Sequence, residues 1–106
     1  MKSTIATIAT VFLVTTSAMA GRSNSTSVTH LIVKPDHVAV YTGTSNATCA
    51  TPNMWILEQD HPNYDQMYKG LLASKLAGGK VDIVGTGTCS SADARGERIH
   101  WAYVAQ

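Results

Sequence analysis

The sequence is poor in charge, in aromatic rings and in cysteine, and each shortage narrows what the chain does. Only 14% of the residues are charged, and eight Lys and Arg against seven Asp and Glu give a formal net charge of +1. That near-balance carries no basic patch, which argues against nucleic acid as a partner, because phosphate binding needs concentrated positive charge. The two cysteines, Cys49 and Cys89, stand far from each other and from any closely spaced ligand, which argues against zinc. No motif calls for a cofactor. The G-x-S-x-G nucleophile elbow is absent, and the acidic residues show no pairing that suggests general acid and base work. Gly85-Thr86-Gly87-Thr88 is not a phosphate loop, since it follows a strand and leads to a cysteine instead of opening a helix with a Lys-Ser/Thr pair. Its glycines are expected to permit a bulge or bend in a curved sheet.

What is present begins with an export leader. Lys2 gives a positive start, residues 5–14 are apolar, and Ala18-Met19-Ala20 is an A-x-A cleavage pattern. The apolar run is too short, and too broken by threonine, for a membrane anchor. Cleavage after Ala20 leaves one domain over residues 21–106 with balanced charge, periplasmic or secreted. In that oxidising setting two cysteines read as one disulfide, closing a loop of about 40 residues. Asn24 and Asn46 sit in glycosylation sequons, which mean nothing in a bacterium.

The strongest helix signal lies at Tyr64, Met67, Tyr68, Leu71, Leu72 and Leu76, spaced by three and four. Asn63 and Gln66 fit a capping box, and Gly78-Gly79 a left-handed stop. Residues 21–27 read as a flexible polar arm. Residues 28–33 and 37–43 read as strands joined by a turn centred on Pro35-Asp36. Met54-Trp55-Ile56-Leu57 reads as a third strand and residues 81–84 as a fourth. Residues 99–104 close the chain, with Ile99, Trp101 and Tyr103 expected on one face. Together these predict an α+β domain: a small five-stranded antiparallel OB-like barrel or curved sheet, one helix between strands three and four, and one disulfide.

Four histidines are scattered over the chain. His30 and His100 alternate with apolar residues on strands, and would approach each other, as a metal or pH-sensitive pair, only if the first and last strands paired. The candidate ligand-binding residues are the aromatic pair Trp101 and Tyr103 and the polar loop residues Ser90, Ser91, Asp93 and Arg95, since rings and loops on rigid scaffolds make binding anchors. Trp55, inside its apolar run, is expected in the core.

The helix YDQMYKGLLASKLAGGK followed by VDIVGTGTC and a terminal ERIHWAYV resembles small exported bacterial proteins of the subtilase cytotoxin B-subunit kind. The resemblance covers most of residues 21–106. It implies an OB-like fold and, in true toxin B subunits, a ring of five that binds host glycans and carries a catalytic A subunit. The leading expectation is therefore a non-enzymatic exported binding module for a glycan or an envelope protein. The alternatives are a periplasmic inhibitor or hydrolase using His100 with the 90–97 loop, or a monomeric envelope protein of another role.

Overall fold

The computed structural model describes residues 20–105, so the expected export leader, up to Met19, lies outside the described residues. The elements are β1 (Val28–Val33), β2 (His37–Thr42), β3 (Met54–Glu58), α1 (Tyr64–Ala77), β4 (Lys80–Cys89) and β5 (Glu97–Ala105). Among the described residues no helix is long and apolar enough to cross a membrane. The hairpin turn is where proline and aspartate place it: the Lys34 N–H donates to the His37 carbonyl at 2.8 Å across Pro35-Asp36.

The strands form one five-stranded sheet in the order β1-β2-β3-β5-β4. It is mixed, and this corrects the expectation of an antiparallel one: β3 and β5 run parallel, through Trp55 beside Glu97 and Ile56 beside Arg98. The reason is the helical crossover. After β3, α1 carries the chain across and sets β4 down antiparallel to β3 with one strand's width between them. The return from β4 fills that gap, and a strand that reverses β4 must run with β3.

One face of the sheet builds the main core. Val38, Val40, Trp55, Leu57, Val81, Ile83 and Ile99 join Val28, Ala47 and the helix residue Leu71, with Tyr64, Met67 and Tyr68 packed against them. Trp55 is fully buried, as its apolar neighbours suggested, and its indole N–H donates to Thr42 Oγ1 at 3.3 Å. The predicted helical stripe runs too far, because Leu76 is 78% exposed. On the opposite face Ala39, Met54 and Ile56 cluster with Tyr41. The loop after β4 covers them, with Gly96 so close that an added Cβ would meet the Ile56 and Met54 side chains. Burial on both faces explains why β2 and β3 read as continuous apolar runs.

The helix ends are held differently from each other. Asn63 makes no side-chain cap bond, so the capping box does not form. Its place is taken by His61, whose Nδ1 accepts from the Asn63 N–H at 3.0 Å while Nε2 donates to the His100 carbonyl at 2.8 Å. One imidazole thus caps the helix and ties it to β5. At the other end Gly78 takes the left-handed conformation, φ 70°, and the Gly78 and Gly79 N–H groups reach the Lys75 and Ser74 carbonyls.

Residues 21–27 are not a loose arm. They lie along β4, with Arg22 bridging Val84 and Thr26 bridging Val81. The Ser23 N–H donates to the Ile83 carbonyl at 2.8 Å, Thr26 and Val81 exchange bonds of 2.9 and 2.7 Å, and the Gly85 N–H donates to the Gly21 carbonyl at 2.9 Å. Asn24 and Ser25 turn through left-handed conformations, φ 55° and 54°, between the two bridges. The segment's polarity misled because its anchoring comes from backbone bonds. The Cys49–Cys89 disulfide forms, with Cα atoms 5.7 Å apart, and joins the β2–β3 loop to the end of β4.

Candidate functional site

The register of β4 against β5 decides which aromatic rings reach solvent. Val84 faces Trp101 but Gly85 faces Ile99, so an irregularity at His100 inserts one residue into β5. Ile99 therefore points into the core, and Trp101 and Tyr103 point outward, against the expectation that all three share a face. Their rings meet edge to face with centroids 4.5 Å apart, and Tyr103 is 57% exposed. In the adjacent strand Asp82 lies opposite Tyr103, and Arg22, bridging Val84, continues the row.

Arg22 grips Asp82 with two nitrogens: NH2 donates to Oδ2 at 2.7 Å and Nε to Oδ1 at 3.1 Å. The guanidinium's hydrogen bonds hold the Asp82 carboxyl below its ordinary range, and the carboxylate raises the arginine in turn. Asp82 also accepts the Asn24 N–H at 3.3 Å. Beyond Asn24 opens a groove of about 530 Å³ lined by Ser23, Thr44, Ser45, Asn46 and Asn53 among others. Aromatic pair, ion pair and hydroxyl-and-amide groove thus follow one another across the surface. On the other side of Trp101 a smaller cleft of about 270 Å³ runs between β5 and α1, lined by Asn63, Gln66, Met67 and Gly70.

The polar loop forms a separate surface. Ser90 is buried, and its hydroxyl donates to Glu58 Oε2 at 2.6 Å while accepting the Ala92 N–H at 3.0 Å. Asp93 accepts from Arg95 Nε at 3.0 Å and NH2 at 2.6 Å, and these bonds lower its carboxyl to about 2. Arg95 and Asp93 thus complete each other and stiffen the loop. Ser91 is exposed beside Asp36, Glu58, Gln59 and Asp60 at an open acidic groove. The loop lies over the second face of β2 and β3, whereas Trp101 and Tyr103 sit beside β4. The six candidate residues therefore divide between two places.

The histidines do not converge either. β1 and β5 are separated by β2 and β3, so His30 and His100 are not neighbours, and among the described residues no three metal-binding side chains gather. His100 is exposed next to Trp101, 6.5 Å between ring centroids. The Ser90 hydroxyl is engaged with Glu58 and its own turn, and no imidazole is among its bonding partners.

Two contributors went unread in the sequence, Arg22 and Asp82. The one local sign was the alternation of small Gly21 and Ser23 around Arg22, which is the period of a strand. No family model matches the chain, and neither a curated protein nor a solved structure matches it significantly.

Proposed function

We propose that the protein is an exported, non-enzymatic binding module of OB type whose ligand is a glycan. The fold reading is supported by strand order with parallel β3 and β5, by the helix between β3 and β4, and by the bridges of Arg22 and Thr26 to β4, which lay the segment leading into β1 along the far edge strand, the approach that closure of an OB barrel requires. The observation that carries the ligand reading is the continuous band of Trp101 and Tyr103, the Arg22–Asp82 pair and the groove beyond Asn24. A pyranose offers an apolar C–H face to an exposed ring and fixed hydroxyls to planar, bidentate groups. The band presents both within one stretch of surface.

By its resemblance to B subunits, the module assembles as a ring of five. Besides Tyr103, the large apolar side chains left exposed among the described residues are Ile32, Val33 and Leu76, on the edge strand β1 and on α1, and they supply surface for such contacts.

The test is a broad glycan array with the exported protein, followed by titration of the best ligand against Tyr103→Ala. Loss of one stacking ring is expected to weaken binding about tenfold, 1.4 kcal/mol, with the melting midpoint unchanged. No binding on the array together with a specific complex from envelope extracts would replace the glycan by a protein ligand. Light scattering tests the ring, for which a monomer would be the contrary result.

A further inference from the structure

The only carboxylate completely shut away from solvent among the described residues is Glu97, with 0% exposure. Four donors surround it. Oε1 accepts the Thr48 N–H at 2.7 Å and the Thr48 hydroxyl at 3.0 Å, and Oε2 accepts the Gly87 N–H at 2.8 Å and the Gly21 N–H at 3.0 Å. Such a nest suits an anion, but every donor is neutral. The ion pairs among the described residues, Arg22–Asp82, Arg95–Asp93 and Arg98–Glu58, leave Glu97 out. A buried carboxylate without a cation is costly to maintain.

One of those four donors belongs to the residue that follows the A-x-A pattern. We propose that a leader peptidase hydrolyses the Ala20–Gly21 bond and that the α-ammonium so released on Gly21 is the counter-ion of Glu97, so that processing completes the fold. Hydrolysis consumes one water, leaves a carboxylate on Ala20 with the departing leader, and leaves on Gly21 an amine that takes up a proton. The nitrogen that now donates at 3.0 Å to Oε2 would then carry the positive charge at the same place. Nothing need move, because the Gly21 carbonyl is already held by the Gly85 N–H.

The site also accounts for the identity of the residue. An added Cβ at position 21 would meet the Asn46 carbonyl oxygen, Glu97 Oε1 and the Ala47 Cα, all closer than real Cβ atoms approach. Only a glycine brings its nitrogen to Glu97. Ala20 is exposed, so an unprocessed or extended chain has room to adopt the same backbone, and the difference between the two forms is the charge. This inference is independent of the ligand reading.

The experiment uses the exported protein. Its intact mass and N-terminal sequence are expected to begin at Gly21. At neutral pH its α-amine, paired with Glu97, is expected to react with an acylating reagent at least tenfold more slowly than in the denatured chain, while the exposed lysines react normally. A variant with Thr-Ser inserted after Ala20, which the peptidase leaves ahead of Gly21, is expected to melt roughly 20 °C lower, the scale of one partner lost from a buried pair in a domain of this size. In a Glu97→Gln background the same insertion is expected to cost little. A chain beginning elsewhere, an amine as reactive as in the denatured protein, or an equal loss in both backgrounds would overturn the proposal. If Glu97→Gln fails to fold, the acylation comparison decides alone, since it needs no substitution.

Discussion

Reducing the Cys49–Cys89 bridge tests how this small domain stays folded. The cysteines are 40 residues apart in the chain, and closing a loop of about that length removes about 4 kcal/mol of unfolded-chain entropy at 25 °C. In a domain of about 86 residues each kcal/mol moves the melting midpoint by roughly 4–8 °C, so the loss is expected near 20 °C. The structure adds a second contribution of the same sign. Cys49 follows Thr48, whose N–H and hydroxyl both donate to buried Glu97, so freeing the loop also loosens two bonds to a carboxylate that solvent cannot reach. The assay is circular dichroism melting of the exported protein with and without dithiothreitol, with the Cys49→Ala/Cys89→Ala double variant as a check. Cys89 is exposed, so reductant can reach the bond in the folded state. A drop under about 5 °C in both comparisons would refute the argument, because about 1 kcal/mol is less than either contribution implies.

Leu71→Ala is expected to cost about 2–5 kcal/mol in urea denaturation and Leu76→Ala within about 0.5 kcal/mol, since the first is fully buried and the second 78% exposed. Gly78→Ala is expected to cost about 1 kcal/mol, a conformational penalty alone, because nothing lies within 4 Å of the added Cβ. Gly85→Ala is expected to cost several times that or to prevent folding, because its Cβ would overlap the Glu97 carboxylate; equal costs at the two glycines would contradict the packing around Glu97. Asp93 is lowered from 3.8 to about 2 by Arg95, so its stabilising contribution is complete above pH 3.8 and is lost as pH falls through 2. In Arg95→Ala its carboxyl resonance is expected to titrate back near 3.8 by NMR, and an unchanged midpoint would show that the pair does not form in solution.

What the sequence disclosed of this fold follows the range of the forces involved. The Pro35-Asp36 turn, the Gly78 stop and the apolar run around Trp55 depend on neighbours within a few residues, and each stands where its local chemistry put it. The disulfide was legible from the expected export and an even cysteine count. The parallel pairing of β3 with β5 was not, because it depends on how a crossover sets down β4, which no local pattern encodes. The outward turn of Trp101 and Tyr103 depends on one extra residue at His100, and a one-residue shift reverses every side chain beyond it. The capping box failed for a similar reason: His61 reaches the helix start from a position that also bonds β5, and that bond exists only in the folded sheet.

The polar stretch ahead of β1 shows why composition was the wrong guide there. Gly21 and Ser23 are buried and Arg22 between them is exposed, the alternation of a strand written in small polar residues instead of apolar ones. The inward positions need no apolar bulk because each meets a polar partner. The Gly21 N–H donates to Glu97, and Ser23 Oγ accepts the Ile83 N–H at 2.7 Å, doing for β4 what a carbonyl of a neighbouring strand would do. The outward position carries the ion pair with Asp82 that borders the aromatic rings. A single three-residue segment therefore joins the buried carboxylate to the proposed binding surface. Displacing Gly21 from Glu97 would shift the backbone that places Arg22, so the chemistry at the start of the domain and the shape of its surface are coupled through one peptide unit.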